Sequence, residues 1–249
     1  MKIKLIFVLF SSPLMVLAQQ TFKPDTIITK DPLKPNTEYW IVHSVYGKVK
    51  AQGKMVNQKK EGVWREYNDN TGMPIKAEEY HNGEKEGASL RFSTNGVITA
   101  DETYRNGKKE GQQMSISTSS RIESIENYRE GLLDGNKKTF YEDGKTKEDG
   151  NWKNNQREGK TTWYFQTGKP SIDYTYKNGE LNGLSTTYTD SGTVVSTGNY
   201  LNNDENGKWE FFGADGKAEK TVIYDKGKVI KEIPAKKELA GKKDATKKP

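Results

Sequence analysis

Apolar residues along the chain recur with a long and regular period of 24 residues. The main column is aromatic and comprises Tyr80, Tyr104, Tyr128, Trp152, Tyr176, Tyr200 and Tyr224, with Met55 in the same role one residue further back. A second apolar column follows twelve residues later and comprises Tyr67, Phe92, Ile116, Phe140, Tyr164, Tyr188 and Phe212. A fixed period of this length is typical of a repeat protein whose units stack on one another.

Glycine divides each unit in two. A Gly stands seven residues after the main column in seven copies, from Gly62 to Gly207, as in Glu86-Gly87, and another near position sixteen, as in Asn95-Gly96. Such dipeptides favour turns because Gly adopts positive φ without a Cβ clash. The segments between them are rich in β-branched and aromatic residues, which favours strands. The pattern therefore predicts one β-hairpin per unit, with turns at positions seven and sixteen.

One such unit is too small to fold alone. Burial of two aromatic side chains is worth roughly 3 to 6 kcal/mol, whereas ordering a whole unit costs several times more. Stacking supplies the missing hydrogen bonds. We therefore predict an all-β fold, an elongated antiparallel single-layer meander of stacked β-hairpins over residues 39–230, with the aromatic column as its structural core rather than as a stacking platform for sugars or bases.

The repeats resemble a known family. The segments Tyr-Lys-Asn-Gly-Glu-Leu-Asn-Gly at 176–183 and Trp-Lys-Asn-Asn-Gln-Arg-Glu-Gly at 152–159 are similar to the MORN-repeat variant of bacterial YwqK-like antitoxin proteins. The resemblance extends over residues 36–230. It implies a hairpin meander used as a binding scaffold, and an antitoxin role. MORN arrays are also associated with lipid membranes, but the repeats of this chain are slightly acidic and follow a predicted export signal.

The two ends of the chain differ from the repeats in composition. Residues 1–18 combine a short basic region, a short apolar region and a final Ala18, a pattern typical of a secretory signal peptide. Residues 19–38 contain three Pro and are interpreted as a linker. Residues 231–249 are Lys-rich and predicted to be disordered. We expect an exported protein, periplasmic or extracellular, whose only membrane contact would be made through this basic tail.

The chain is poor in Cys and His, which commonly act as nucleophiles or general bases in catalysis. The chain has no Cys and only two His, His43 and His81, far apart in sequence and without a paired carboxylate motif. The segment from Asn202 to Gly207 partly resembles a calcium loop, but Gly213 stands where the required Glu would be. The sequence predicts no catalytic residue, no cofactor, no metal and no small-molecule substrate.

One charged pattern follows the repeat. Acidic residues precede the Gly at position seven in five copies, at Glu61, Glu86, Glu110, Asp134 and Glu158. Stacking would place them in a row along one edge of the sheet. The row is either a solvated edge that discourages aggregation or a docking edge for an extended or basic partner.

These observations favour a non-catalytic function. We expect an exported scaffold that mediates protein or cell-envelope interactions; nucleic acid is not expected as a partner. The first alternative is an antitoxin or immunity protein that neutralises a toxin by binding it, and the second is a glycan-binding module.

Overall fold

A computed structural model describes residues 25–235, which form one open antiparallel sheet of 20 strands. No helix occurs among these residues. Accordingly, none of the described segments is a helix able to cross a membrane. The all-β hairpin meander predicted from the sequence is confirmed. The predicted signal peptide, residues 1–18, lies outside the described residues.

The strands follow one another closely along the chain. In the first half they are β1 (Thr26–Lys30), β2 (Thr37–His43), β3 (Val49–Val56), β4 (Lys59–Tyr67), β5 (Pro74–His81), β6 (Glu84–Phe92), β7 (Ile98–Arg105), β8 (Lys108–Lys109), β9 (Gly111–Ile116) and β10 (Ile122–Arg129). In the second half they are β11 (Leu132–Phe140), β12 (Thr146–Lys153), β13 (Gln156–Tyr164), β14 (Pro170–Lys177), β15 (Glu180–Leu181), β16 (Gly183–Tyr188), β17 (Val194–Leu201), β18 (Asp204–Phe212), β19 (Ala218–Asp225) and β20 (Lys228–Pro234).

Each strand pairs with its neighbours in sequence, so the sheet is a meander. Strands β8 and β9 both pair with β7 and act as one interrupted strand, and β15 and β16 have the same relation to β14. Every repeat therefore contributes two strands and contacts only the repeats next to it, which is the organisation of a solenoid.

The first turn of each hairpin lies closer to the aromatic column than we predicted. Two residues with positive φ connect β5 to β6, Asn82 at 51° and Gly83 at 87°. Hairpins of this length favour such turns because their twist matches that of the strands, and Asn-Gly is the preferred sequence. Gly87, assigned to a turn from the sequence, lies inside β6 at a register shift, with φ of 100°. The prediction of a turn at position seven is therefore wrong, whereas the turn at Gly96 is confirmed.

The sheet extends beyond the predicted array at both ends. Strand β1 lies within the predicted linker over residues 19–38 and pairs with β2 from Thr26 to Lys30. Strand β20 continues past residue 230, since Pro234 is still paired with Lys220. Both segments lack the aromatic signature, and edge strands need only one partner. These boundaries are thus corrected, and the rest of the predicted tail, residues 236–249, lies outside the described residues.

Many of the most buried positions lie on a line across the sheet from β4 to β19, with one residue on each strand when β8–β9 and β15–β16 are each counted as one strand. We call this line the central row. It comprises Trp64, Glu78, Ser89, Glu102, Gln113, Glu126, Lys137, Gly150, Thr161, Tyr174, Ser185, Gly198, Trp209 and Val222. Each member stands either two residues before or nine residues after a residue of the main column, if Met55 is counted in that column. Thr161 is fully buried, and Val222 is 2% exposed.

Candidate functional site

The face that carries the main aromatic column is called the front face. Since successive side chains of a strand point to opposite sides, the ring two residues after a member of the central row lies on the same face. All seven rings, from Tyr80 to Tyr224, are half-buried there. The column at Tyr164, Tyr188 and Phe212 lies on the opposite, back face, where the Tyr188 hydroxyl donates to Asp173 at 3.1 Å.

In the first half of the sheet the rings lie beside buried ion pairs. The hydroxyl of Tyr80 donates to Oε2 of Glu78 at 2.7 Å, and Nζ of Lys85 lies 2.6 Å from Oε1 of the same carboxylate. Glu102 repeats the arrangement with Tyr104 and Lys109. Glu126 accepts from Tyr128 in the same way, but its lysine is Lys137, which is directly opposite it in the central row. We call these nine residues the charged surface. Each of its carboxylates contacts a tyrosine and a lysine of its own set, and Glu102 also binds Arg91 of the preceding strand at 2.8 Å.

The environment of the charged surface keeps its carboxylates ionised. Burial raises the pKa of Glu78, but hydrogen bonds from Lys85 and Tyr80 outweigh burial and hold this pKa below 4.5. The same balance lowers the pKa of Glu102 and of Glu126. Conversely, burial and the adjacent carboxylate raise the pKa of Tyr128 to about 12. The hydroxyl groups therefore act as hydrogen-bond donors and the lysines as fixed counterions.

In the second half of the sheet, aromatic rings replace the ion pairs. The ring of Tyr174 lies 5.6 Å from Trp163 and 5.8 Å from Tyr200, in both cases edge to face. Trp209 lies 5.1 Å from Tyr200 and 6.4 Å from Phe211. We call this set the aromatic surface; it comprises Trp163, Tyr174, Tyr176, Tyr200, Trp209, Phe211 and Tyr224. This concentration of rings could not be predicted from the repeat pattern, because Tyr174 and Phe211 lie outside both aromatic columns.

Arg157 lies at the junction of the two surfaces. Its guanidinium carbon is 4.7 Å from the centroid of Trp152, 4.9 Å from Trp163 and 5.5 Å from Tyr176. Its Nη1 lies 2.5 Å from Oε1 of Glu148. A cation enclosed by ring faces and one carboxylate is electrostatically favourable.

The acidic residues predicted to form a row, here called the acidic row, link neighbouring hairpins. Four of its five carboxylates, those of Glu61, Glu86, Glu110 and Glu158, accept the backbone N–H of the first turn residue in the next hairpin, at distances of 2.6 to 3.0 Å. Each bond therefore links one repeat to the next. The bond from Asn82 also lowers the pKa of Glu61. The geometry favours a structural edge over a free docking edge.

Asp134 differs from the other members of the acidic row. Its side chain is one methylene shorter, and its Oδ1 lies 3.7 Å from Nη1 of Arg129 rather than on the next turn. Here the link between repeats runs in the opposite direction: the backbone N–H of Leu133, next to Asp134, donates to Oδ1 of Asn155 in the next turn at 2.8 Å. Asp134 thus offers a natural comparison for the four linking carboxylates.

The two histidines lie far apart in the fold. Nδ1 of His81 is 3.3 Å from Glu61 on the exposed turn edge. His43 ends β2 and lines a shallow cavity of about 360 Å³ beside Tyr67 and Asp69. Within residues 25–235, no group of three His, Asp or Glu side chains has the arrangement of a metal site.

Comparison with known proteins supports the assignment of the repeats. The MORN repeat variant matches residues 133–154, 157–178 and 181–202. Three consecutive repeats are similar to MORN repeats. Each matched segment begins just after one two-residue turn and ends at the next, so it contains two neighbouring strands and the longer turn between them. MORN repeats are in general interaction modules. No curated protein matches the chain.

Proposed function

We propose that the chain is an exported, non-catalytic scaffold that binds a protein or cell-envelope partner through the aromatic surface. The observation that carries this proposal is the set of rings on the front face of the second half, which are half-buried except for the buried Trp209. Aromatic residues supply much of the energy of protein interfaces because they contribute a large contact area at a small cost in conformational entropy. Export rests on the pattern in residues 1–18.

The two surfaces differ in what they offer a partner. On the charged surface, Glu78 and Glu102 already hold lysines of their own repeats, so a partner would have to break buried ion pairs. On the aromatic surface, the rings are partly covered by one another and present their remaining area on an open sheet. Trp163, Tyr176 and Phe211 lie beside ion-paired cations. At Tyr174, Tyr200 and Tyr224, however, a partner gains apolar contact without displacing an ion pair. The aromatic surface is therefore the better binding face.

Two adjacent phenylalanines provide a matched test. Phe211 belongs to the aromatic surface, 6.4 Å from Trp209, whereas Phe212 belongs to the column on the back face. The full-length protein is immobilised and exposed to periplasmic or envelope extract, and the retained proteins are identified by mass spectrometry. We expect Phe211→Ser to lose a specific partner that Phe212→Ser retains. Equal retention by both variants, with unchanged folding, would contradict the proposal.

A second candidate is glycan binding, and the aromatic surface favours it as well. Rings such as Trp163 and Tyr176 stack on the apolar faces of sugars, with Arg157 nearby as a hydrogen-bond donor. Titration of purified envelope polysaccharide distinguishes the two candidates. Binding that disappears with Trp163→Ala but persists with Tyr164→Ala would assign the surface to a glycan. The antitoxin hypothesis rests on the family resemblance, and a toxin reading frame beside the gene would favour it.

A further inference from the structure

One position in each hairpin faces the ring of the main column directly. It lies five residues after that ring and is paired with it across the hairpin, as Lys85 is with Tyr80 and Glu205 is with Tyr200. We call this set the facing column. It comprises Lys60, Lys85, Lys109, Leu133, Arg157, Leu181, Glu205 and Val229.

Wherever the facing column holds a cation, that cation lies over the ring of the following repeat. Nζ of Lys60 is 4.6 Å from the centroid of Tyr80, and Nζ of Lys85 is 4.6 Å from Tyr104. The corresponding distances are 5.1 Å for Lys109 over Tyr128 and 5.5 Å for Arg157 over Tyr176. The space between consecutive rings is thus a cation position in four repeats.

The repeat that contains Glu205 is built like the repeat that contains Lys60. In both, a tryptophan nine residues after the main column lies against a glycine of the preceding strand. A Cβ atom at Gly53 would overlap the ring of Trp64, and one at Gly198 would overlap Trp209. Both indole N–H groups donate to a backbone carbonyl of that strand, at 2.8 Å for Trp64 and 3.1 Å for Trp209.

The charge at the equivalent position is reversed between these two repeats. Nζ of Lys60 is 4.8 Å from the ring of Trp64, and the chain therefore fills this position with its own cation. The counterpart is the half-buried Glu205, which is paired across its hairpin with Tyr200. The ring of Tyr200 lies 5.1 Å from Trp209, and Trp209 lies 6.2 Å from Tyr224. Among residues 25–235, no Lys, Arg or His nitrogen lies within 4.0 Å of the Glu205 carboxylate.

We propose that Glu205, Tyr200, Trp209 and Tyr224 bind an arginine or lysine side chain of the partner protein. This inference rests on the proposed function and specifies the chemistry of the partner. A carboxylate beside ring faces favours a cation through both charge and the ring quadrupole, as the Arg157 position already illustrates within the same chain. We call this group of four residues the Glu205 site.

The test uses a peptide pair that differs only in charge. Full-length protein is titrated with Gly-Ser-Arg-Ser-Gly and with the same peptide carrying citrulline, a neutral isostere, in place of arginine. We expect saturable binding of the arginine peptide only. Glu205→Lys, which supplies an internal cation as Lys60 does, should weaken binding about tenfold or more. Glu210→Gln removes one charge from the same strand on the other face and should leave binding unchanged.

Two measurements keep this test independent of protein stability. Thermal melting checks that Glu205→Lys folds, which we expect because Lys is accommodated at the equivalent position 60. In the reverse direction, Lys60→Glu should create a second peptide site beside Trp64 and Tyr80, so that the stoichiometry doubles. Equal binding of the two peptides, or full binding by folded Glu205→Lys, would overturn the proposal.

Failure of this inference is distinguishable from failure of the proposed function. If a partner is lost with Phe211→Ser but retained by Glu205→Lys, the aromatic surface binds the partner and the Glu205 site is rejected. If the arginine peptide binds at Glu205 while Phe211→Ser and Phe212→Ser capture partners equally, the Glu205 site holds and the broader binding face is rejected.

Discussion

The charged surface and the aromatic surface are two solutions to one geometric problem. Both halves of the sheet have the same turns and register, and in both the central row must be covered without a second layer. In the first half, carboxylates of the central row are covered by lysine side chains, as Glu102 is by Lys109. In the second half, rings of the central row are covered by other rings, as Tyr174 and Trp209 are by Tyr200. A single-layer sheet can therefore be stabilised by either chemistry, and the two halves should respond differently to perturbation.

The two surfaces also differ in what lies against their small central-row residues. On the aromatic surface, Gly198 lies directly against the ring of Trp209. The ring therefore occupies the space that a side chain at position 198 would need. On the charged surface Glu78 faces Ser89, and the hydroxyl of Ser89 is buried without a hydrogen-bond partner. The aromatic surface thus depends on close packing, and the charged surface depends on charge balance.

The largest effect is expected where packing dominates. Trp209→Ala removes a ring that is 6% exposed and contacts Tyr200, Phe211 and Tyr224. We expect a loss of about 3 to 5 kcal/mol in the free energy of unfolding, measured by urea denaturation. Gly198→Ala tests the same contact from the neighbouring strand and should also destabilise the protein. Parent-like unfolding of both variants would show that this packing does not stabilise the sheet.

A smaller effect is expected on the charged surface. Glu102→Gln removes the negative charge that holds Lys109 at 2.8 Å and Arg91 at 2.8 Å. We expect a cost of about 1 to 3 kcal/mol, because two cations lose their partner at a nearly buried position. The matched control is Glu123→Gln, an exposed residue of the next hairpin, which should change stability by less than about 0.5 kcal/mol. Equal effects of the two substitutions would contradict the structural role of Glu102.

The smallest effect concerns the acidic row. Glu110→Ala removes a hydrogen bond of 2.9 Å to the backbone N–H of Glu130 and should cost about 0.5 to 1.5 kcal/mol. Asp134→Ala is the matched variant, because Asp134 contacts only Arg129 at 3.7 Å. We expect it to cost less than Glu110→Ala in the same thermal or urea melt. If the order is reversed, the bond between repeats is not what stabilises this edge.

Much of the architecture could be predicted from the sequence because the repeat is exact in length. The 24-residue aromatic period and the recurrent glycines fix the number of strands and their antiparallel order. The position of the first turn could not be assigned by glycine alone, since the units of Tyr80, Tyr104, Tyr128 and Tyr176 each have one Gly at position three and another at position seven. The two-residue turn requires positive φ at both of its residues, and Asn82-Gly83 satisfies this requirement better than Glu86-Gly87 does.

The central row could not be predicted from hydrophobicity. Its members include Glu78, Ser89, Glu102 and Gln113, which are polar residues that the register buries. A signal was nonetheless present, because Glu78, Glu102 and Glu126 each stand two residues before a Tyr of the main column. The Glu205 site was also missed, since a single Glu among many carries no pattern until its position is compared between repeats.

The difference between the two surfaces is tested most directly by hydrogen exchange at acid pH. Folding lowers the pKa values of Glu78, Glu102 and Glu126 below 4.5. The stability that they contribute is therefore complete above that value and is lost as the pH falls through their folded pKa values. Mass spectrometry of the full-length protein, corrected for intrinsic exchange rates, should show that residues 74–140 lose protection in acid while residues 146–225 retain it. Uniform loss of protection, or earlier loss in residues 146–225, would contradict the account.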